Sequence, residues 1–324
     1  MTTPRAVLSF ALMTKDSGQP SGTILGVIAL LLWGSSVALQ RSLGEQLGAV
    51  GAAGAVYLVA AAASTLYLAV RRDALRGILK LPRRYLAVCG GLFFLYVPCY
   101  YLAVGTASGR QQAIEAGVIN YVWTAATVAL SVPILGKRAK WTLLPGVILA
   151  LAGIALVMLP EGWSMAEFRA NLRGNWGPYL LALIAGLDWG LYSNLSRRWA
   201  PPGAPSAVPL FLIATGLAMG GLWLAFPKPG AGLTARAAAE LAFMGVGVTS
   251  LAYVFWDVAM RRGNLVLVAS FAYFTPLLAA AIAALYLGVK PGAGVWAGCG
   301  LVVAGALLCK HSVVERREEE VARV

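Results

Sequence analysis

Apolar runs of bilayer length alternate with short polar segments along almost the whole chain. A helix that crosses the hydrocarbon core uses about 20 apolar residues. Ten stretches of that kind can be marked, at 23–41, 48–70, 85–106, 112–135, 141–159, 177–196, 206–226, 237–260, 264–287 and 292–310. A polar tail at 1–22 and a charged tail at 311–324 lie outside them. The predicted fold is an all-α polytopic membrane protein with ten transmembrane helices, arranged as two inverted five-helix repeats over 23–160 and 177–310.

The repeat is read from recurring residues. Leu135-Gly136 returns as Leu287-Gly288, Gly146 as Gly298, and Ala152-Gly153 as Ala304-Gly305, all 152 residues later. Tyr121 and Tyr273 share that offset, and Trp33-Gly34 returns as Trp189-Gly190 at 156. Five spans per half is an odd number, so the second half enters the membrane from the opposite face, the build of carriers that work by alternating access.

Polar positions inside the spans point the same way. The fourth span, Gln112 to Ser131, reads QAIEAGVINYVWTAATVALS. On a helix, Gln112, Asn120, Trp123, Thr127 and Ser131 share an arc of roughly 100°. Polar groups in hydrocarbon need partners, so this stripe faces protein or a wet cavity. Tyr121 points about 160° away from Trp123, and a straight helix cannot aim both rings into one cavity. Either the helix loosens near Gly117 or Tyr121 packs against a neighbour.

Comparable stripes mark five other spans. The first carries Trp33, Ser36 and Gln40; the third carries Tyr96, Cys99 and Tyr100, with Pro98 available as a helix break. The sixth gathers Asp188, Trp189, Tyr192 and Ser196, and the eighth Thr249, Ser250, Tyr253 and Trp256. The ninth offers Ser270, Tyr273 and Phe274 just before Pro276, the second candidate break. Spans 1, 3, 4, 6, 8 and 9 therefore line a path, while the fifth and tenth, nearly free of polar residues, are packing helices. Gly216 and Gly220 in the seventh give a small-residue contact.

Composition supports this class. Hydrophobic residues make up 59% of the 324 and charged residues 12%, with a mean hydropathy of +0.75. A net charge of +13 could suit nucleic acid, but Lys and Arg lie between the apolar runs and read as topology signals. With the N-terminus cytoplasmic, inner segments hold 19 of the basic residues and outer segments 7, which places both termini inside. Cys89, Cys99, Cys299 and Cys309 show no metal-ligand spacing, the single histidine is His311 near the C-terminus, and no phosphate-cradling loop is present. No cofactor, metal, nucleic acid or ATPase subunit is expected, and an embedded enzyme lacks the clustered acids or histidines it would need.

Asp188, Glu115 and Asp257 need a reason to lie in a membrane, where each acid costs about 2.5–3.5 kcal/mol on insertion scales; Asp257, four residues before Arg261, has the spacing of a structural ion pair. Asp188, nearest the middle, suits proton coupling, contact with a substrate ammonium, or a hydrogen-bonded structural role. Glu115, near the outer end of its span, suits a structural or gating role.

The segments WGSSVALQRSLGEQLGAVGAAGAVY, QAIEAGVINYVWT, LDWGLYSNLSRRWA and SFAYFTPLL resemble, in that order, the YddG-type aromatic amino-acid exporters of the drug/metabolite transporter (EamA-like) superfamily. The resemblance spans roughly Gly22 to Lys310. It implies ten helices in two inverted halves, export of aromatic and other neutral amino acids across the bacterial inner membrane, and a central cavity lined by Tyr121, Trp123 and Trp189. The full set of expected cavity residues adds Trp33, Tyr100, Asn120, Tyr192, Tyr253, Trp256 and Tyr273. Two positions depart from the family pattern: Arg110-Gln111 stands where a histidine pair is usual, and Thr124 where a proline is usual. The alternative within the superfamily is export of drugs or other small metabolites.

Overall fold

The computed structural model describes residues 20–157, 174–201, 204–225, 233–262 and 271–314, with backbone alone at 257, 258, 260–262 and 314. Both tails beyond these limits, Ser270 and the start of the ninth predicted span lie outside the described residues.

In chain order the elements are α1 (Pro20–Gly34), α2 (Ser36–Leu47), α3 (Ala49–Val70), α4 (Arg72–Leu79), α5 (Gly90–Gly105), α6 (Arg110–Asn120), α7 (Trp123–Leu135) and α8 (Leu143–Val157). There follow α9 (Gly177–Trp199), α10 (Val208–Ala225), α11 (Ala235–Ala242), α12 (Ala252–Arg262), α13 (Thr275–Leu287) and α14 (Ala293–Ser312). A π-helical turn, Tyr85–Cys89, leads into α5, and a longer one, Phe243–Leu251, joins α11 to α12.

Among the described residues, seven helical stretches are long and apolar enough to cross a membrane: Pro20–Leu47, Ala49–Val70, Tyr85–Gly105, Arg110–Leu135, Val208–Ala225, Ala235–Trp256 and Ala293–Ser312. Leu143–Val157 and Thr275–Leu287 are shorter apolar helices. Helix α9, with 23 residues, has the length of a span but carries Asp188, Ser193, Asn194 and Ser196, which lower its hydropathy.

Packing follows the small residues. Helix α3 lies along α10, and α8 along α14. A Cβ added at Gly153 would stand 2.7 Å from the Gly298 carbonyl oxygen, and one at Gly298 2.7 Å from that of Gly153, so only glycines allow this approach. Helices α1 and α12 form another close pair, and α9 packs on α5 and α7. Helices α7 and α13 end alike, on Gly136 (φ 67°) and Gly288 (φ 68°) in the left-handed region that glycine adopts at little cost.

Three features differ from expectation. Pro98 lies inside α5, which runs as one helix from Gly90 to Gly105. The ring removes one backbone hydrogen bond, and contact with α9 holds the helix together. The irregularity of this span is the π turn at its start. The fourth span breaks at Tyr121-Val122 rather than at Gly117. Finally, α14 continues past Lys310 to Ser312, and Val313–Val314 then pairs antiparallel with Arg138–Ala139, a small two-stranded sheet that apolar periodicity did not predict.

Candidate functional site

The break between α6 and α7 is the centre of the site. Two residues leave the helix there, and the Tyr121 carbonyl accepts from the Thr124 amide at 3.2 Å and from the Thr124 hydroxyl at 2.9 Å. In the second half the corresponding turn, Tyr273-Phe274, is followed by Pro276 in the first turn of α13. Thr124 and Pro276 are 152 residues apart. A hydroxyl at one and a pyrrolidine ring at the other each serve a helix start. The break also removes the difficulty with a straight helix, since Tyr121 and Trp123 now line one chamber.

That chamber has a volume of about 90 Å³. Seven of the predicted residues border it: Trp33, Tyr100, Asn120, Tyr121, Trp123, Trp189 and Tyr253. Ser36, Gln40, Tyr57, Tyr96, Tyr101, Thr249 and Thr275 also border it, and none of its lining side chains is acidic or basic. Aromatic rings dominate the wall. Tyr96 and Trp189 have centroids 4.9 Å apart, Trp189 and Tyr192 also 4.9 Å, and Trp33 and Tyr253 5.3 Å. Helix α9 can bring Trp189 here because Gly186 faces the break and Gly190 the start of α7; a Cβ at Gly186 would stand 2.6 Å from the Asn120 carbonyl oxygen, and one at Gly190 2.9 Å from the Ala126 Cβ.

The chamber adjoins a vestibule of about 900 Å³. Trp33, Trp123, Trp189 and Tyr253 border both spaces, so these four rings form the partition. Tyr192 and Trp256 line the vestibule, as do Thr127 and Ser131 of the fourth-span stripe. Its mouth carries Lys137, Arg197 and Lys310, with no acid among its lining residues.

The other end of the chamber is closed by ion pairs. Arg110 makes two hydrogen bonds to Glu45, at 3.0 and 2.8 Å, and a third to the Leu287 carbonyl at 2.8 Å. Arg41 joins Glu45 at 3.0 Å and the Ala107 carbonyl at 2.8 Å. Beside them Glu240, 5% exposed, accepts from Ser42 at 2.9 Å, Arg236 at 2.7 Å and Tyr286 at 2.6 Å. Helices α2, α6, α11 and α13 are thereby tied together. Sequence reasoning used Arg41 and Arg236 only as topology signals, and Arg110 as one of these and as a departure from the family pattern. The i, i+4 spacings of Arg41 with Glu45 and Arg236 with Glu240 were the signal available for this cluster.

Several predicted residues stand apart from the chamber. Tyr273 lines neither space and packs beside Lys310, whose ammonium is 5.4 Å from the ring centroid. Asp188 is 6% exposed and lines neither space, and both its oxygens lack a hydrogen-bond partner. Glu115 accepts from Gln111 at 3.1 Å and from the Tyr179 hydroxyl, which joins α6 to α9. Gln112 bonds to Asn175 and Ser108 at the start of α6, away from the rest of its stripe. Tyr57, Tyr101 and Thr275 are chamber residues that the census of polar stripes missed.

Apolar helices of membrane-crossing length around a chamber closed at one end and open at the other have the build of a multi-pass membrane transporter. The chain belongs to the EamA-like transporter family, whose sequence profile matches residues 20–159 and again 176–309. It is a transporter, not an enzyme. It is 32% identical over 291 residues to a protein of Salmonella typhimurium named aromatic amino acid exporter YddG, covering 89% of this chain and 96% of the relative. The Escherichia coli K12 protein of the same name is 30% identical over 288 residues, with the same coverage. A solved crystal structure that is 24% identical shares the fold, with a TM-score of 0.61 over 90% of this chain and 98% of that one.

Proposed function

We propose that this protein exports aromatic and other neutral amino acids across the bacterial inner membrane by alternating access. The observation that carries this reading is the chamber wall: aromatic, hydrogen-bonding and free of ionised side chains. Such a wall suits a guest that is neutral overall, as a zwitterion is. Offset or edge-on aromatic contacts add about 0.5–1.5 kcal/mol beyond burial, which favours ringed side chains. Helices α7 and α13 both start at the chamber, and helix starts favour a carboxylate.

Ten spans in two inverted halves are part of the proposal. It is supported by the two family matches, by the αL glycines 152 residues apart, and by the pairing of the second span with the seventh and the fifth with the tenth. The 19-to-7 charge bias puts both termini and the basic vestibule on the cytoplasmic side. In this arrangement the ion-pair cluster faces outward, and the conformation is open inward and closed outward. Asp188, buried and unpartnered, is the residue assigned to proton coupling. Glu115, held by Gln111 and Tyr179, belongs with the outer closure.

Loaded proteoliposomes test the reading. Trp123→Ala and Trp189→Ala are expected to lower phenylalanine export by about three- to tenfold at unchanged protein level, the loss of one aromatic contact. Unchanged export in both removes these rings from the site. Preferential competition by a cationic dye instead favours a drug exporter. Asp188→Asn is expected to abolish dependence of export on a pH gradient; a wild type without such dependence makes the protein a facilitator.

A further inference from the structure

Among the described residues, only five buried side chains carry an oxygen with no hydrogen-bond partner, and three of them border the chamber. They are Gln40 (Oε1), Asn120 (Oδ1) and Thr275 (Oγ1), with relative exposures of 5, 3 and 2%. They come from three helices, α2, α6 and α13, which pack against one another beside the two breaks. A buried polar atom without a partner is destabilising, and folded proteins keep few of them. Three around one small cavity need a common explanation.

The chemistry of the three atoms differs in a useful way. Asn120 donates its Nδ2 to the Tyr96 hydroxyl at 3.4 Å, which leaves Oδ1 as its open end. Amide oxygens accept hydrogen bonds and cannot donate them, so Gln40 and Asn120 call for a guest with N–H groups. A primary ammonium brings three donors and no acceptor. Thr275 is different: its hydroxyl can donate, and it stands in the first turn of α13, where the helix dipole favours negative charge.

We propose that these residues form the head-group subsite of the transported molecule: Gln40 and Asn120 accept from its α-ammonium, and Thr275 with the start of α13 receives its carboxylate. This deepens the amino-acid reading above and rests on it. The small volume agrees with that division. About 90 Å³ is well below an ordinary ligand pocket of roughly 300–1,000 Å³, so the chamber takes the head group while the partition of rings holds the side chain. No carboxylate lines the chamber, so an amine without its own counter-charge gains two hydrogen bonds but no ionic partner. Recognition therefore needs both ends of the zwitterion.

The test measures binding of radiolabelled L-phenylalanine to the purified full-length carrier in liposomes, with two competitors: 3-phenylpropionate, which lacks the ammonium, and phenethylamine, which lacks the carboxylate. Wild type is expected to prefer phenylalanine over both. Gln40→Met, close in volume, is expected to weaken phenylalanine binding about tenfold, the loss of one hydrogen bond to a charged group, and to leave 3-phenylpropionate competition unchanged. Gln40→Glu, which supplies the missing counter-charge, is expected to improve phenethylamine competition about tenfold or more. Thermal unfolding of each variant identifies one that fails to fold, and the Gln40→Glu gain cannot come from misfolding. Equal losses for phenylalanine and 3-phenylpropionate in folded Gln40→Met, or no gain with Gln40→Glu, overturn the subsite while the amino-acid reading stands. A wild type that binds no phenylalanine overturns the reading itself.

Discussion

The two ends of the chamber each carry three basic residues, with opposite results. Outside, under the proposed topology, Arg41, Arg110 and Arg236 each meet a carboxylate at 3.0 Å or less. Inside, Lys137, Arg197 and Lys310 stand around a vestibule with no acid in its lining. Opposite charges draw four helices into a wall; cations around a shared space favour hydration and attract carboxylates. What separates a seal from a mouth is therefore two glutamates, Glu45 and Glu240, and not the arginines and lysines.

The two glutamates are unequal, which orders the tests. Glu240 is buried and accepts from four side chains, those of Ser42, Gln46, Arg236 and Tyr286, and removing one partner of a buried pair costs up to about 3–5 kcal/mol. Its partner Arg236 is largely exposed, so the effect falls at or below the lower limit. Glu240→Ala is expected to give the largest change. With a cysteine at Ser36, labelling by an impermeant maleimide from the outer face should rise at least tenfold; no rise removes the closing role. Next, Arg197→Gln with Lys310→Gln should slow uptake of substrate from the inner face by about three- to tenfold at low salt, with the difference fading at high salt. A salt-independent loss would assign these cations to packing instead. The smallest effect is expected for Glu45→Gln, whose pairs are partly exposed and worth about 0–1 kcal/mol each. Labelling at position 36 should change by less than about threefold, and a change equal to that of Glu240→Ala would erase the distinction between the two acids.

The lining helices were legible in the sequence because a polar stripe in a bilayer has few other uses. Trp33, Tyr100, Asn120, Trp123, Trp189 and Tyr253 follow from that one constraint, and the structure brings them to one chamber. Tyr121 was ambiguous, since whether it joins them depends on a break that no glycine or proline marks. The break carries a Thr124 hydroxyl bonded to the Tyr121 carbonyl three residues back, and threonine does this in many unbroken helices too. Tyr101 was missed because, one residue after Tyr100, it points about 100° away from that stripe on a straight helix, and Tyr57 because its span was not read as a lining one. Glu240 was missed because its partners Ser42 and Tyr286 are 198 and 46 residues away, and only the tertiary fold joins them.

The small sheet between Arg138–Ala139 and Val313–Val314 has a mechanical consequence. With the Lys140 amide donating to the Ser312 carbonyl at 2.7 Å and the Thr142 and Ser312 hydroxyls 2.7 Å apart, it clasps the foot of α8 to the foot of α14. The glycine seam higher up already presses those two helices together. Bolted at both heights, the two helices make a single post, and under the proposed alternating access whatever swings to pass cargo would turn about it.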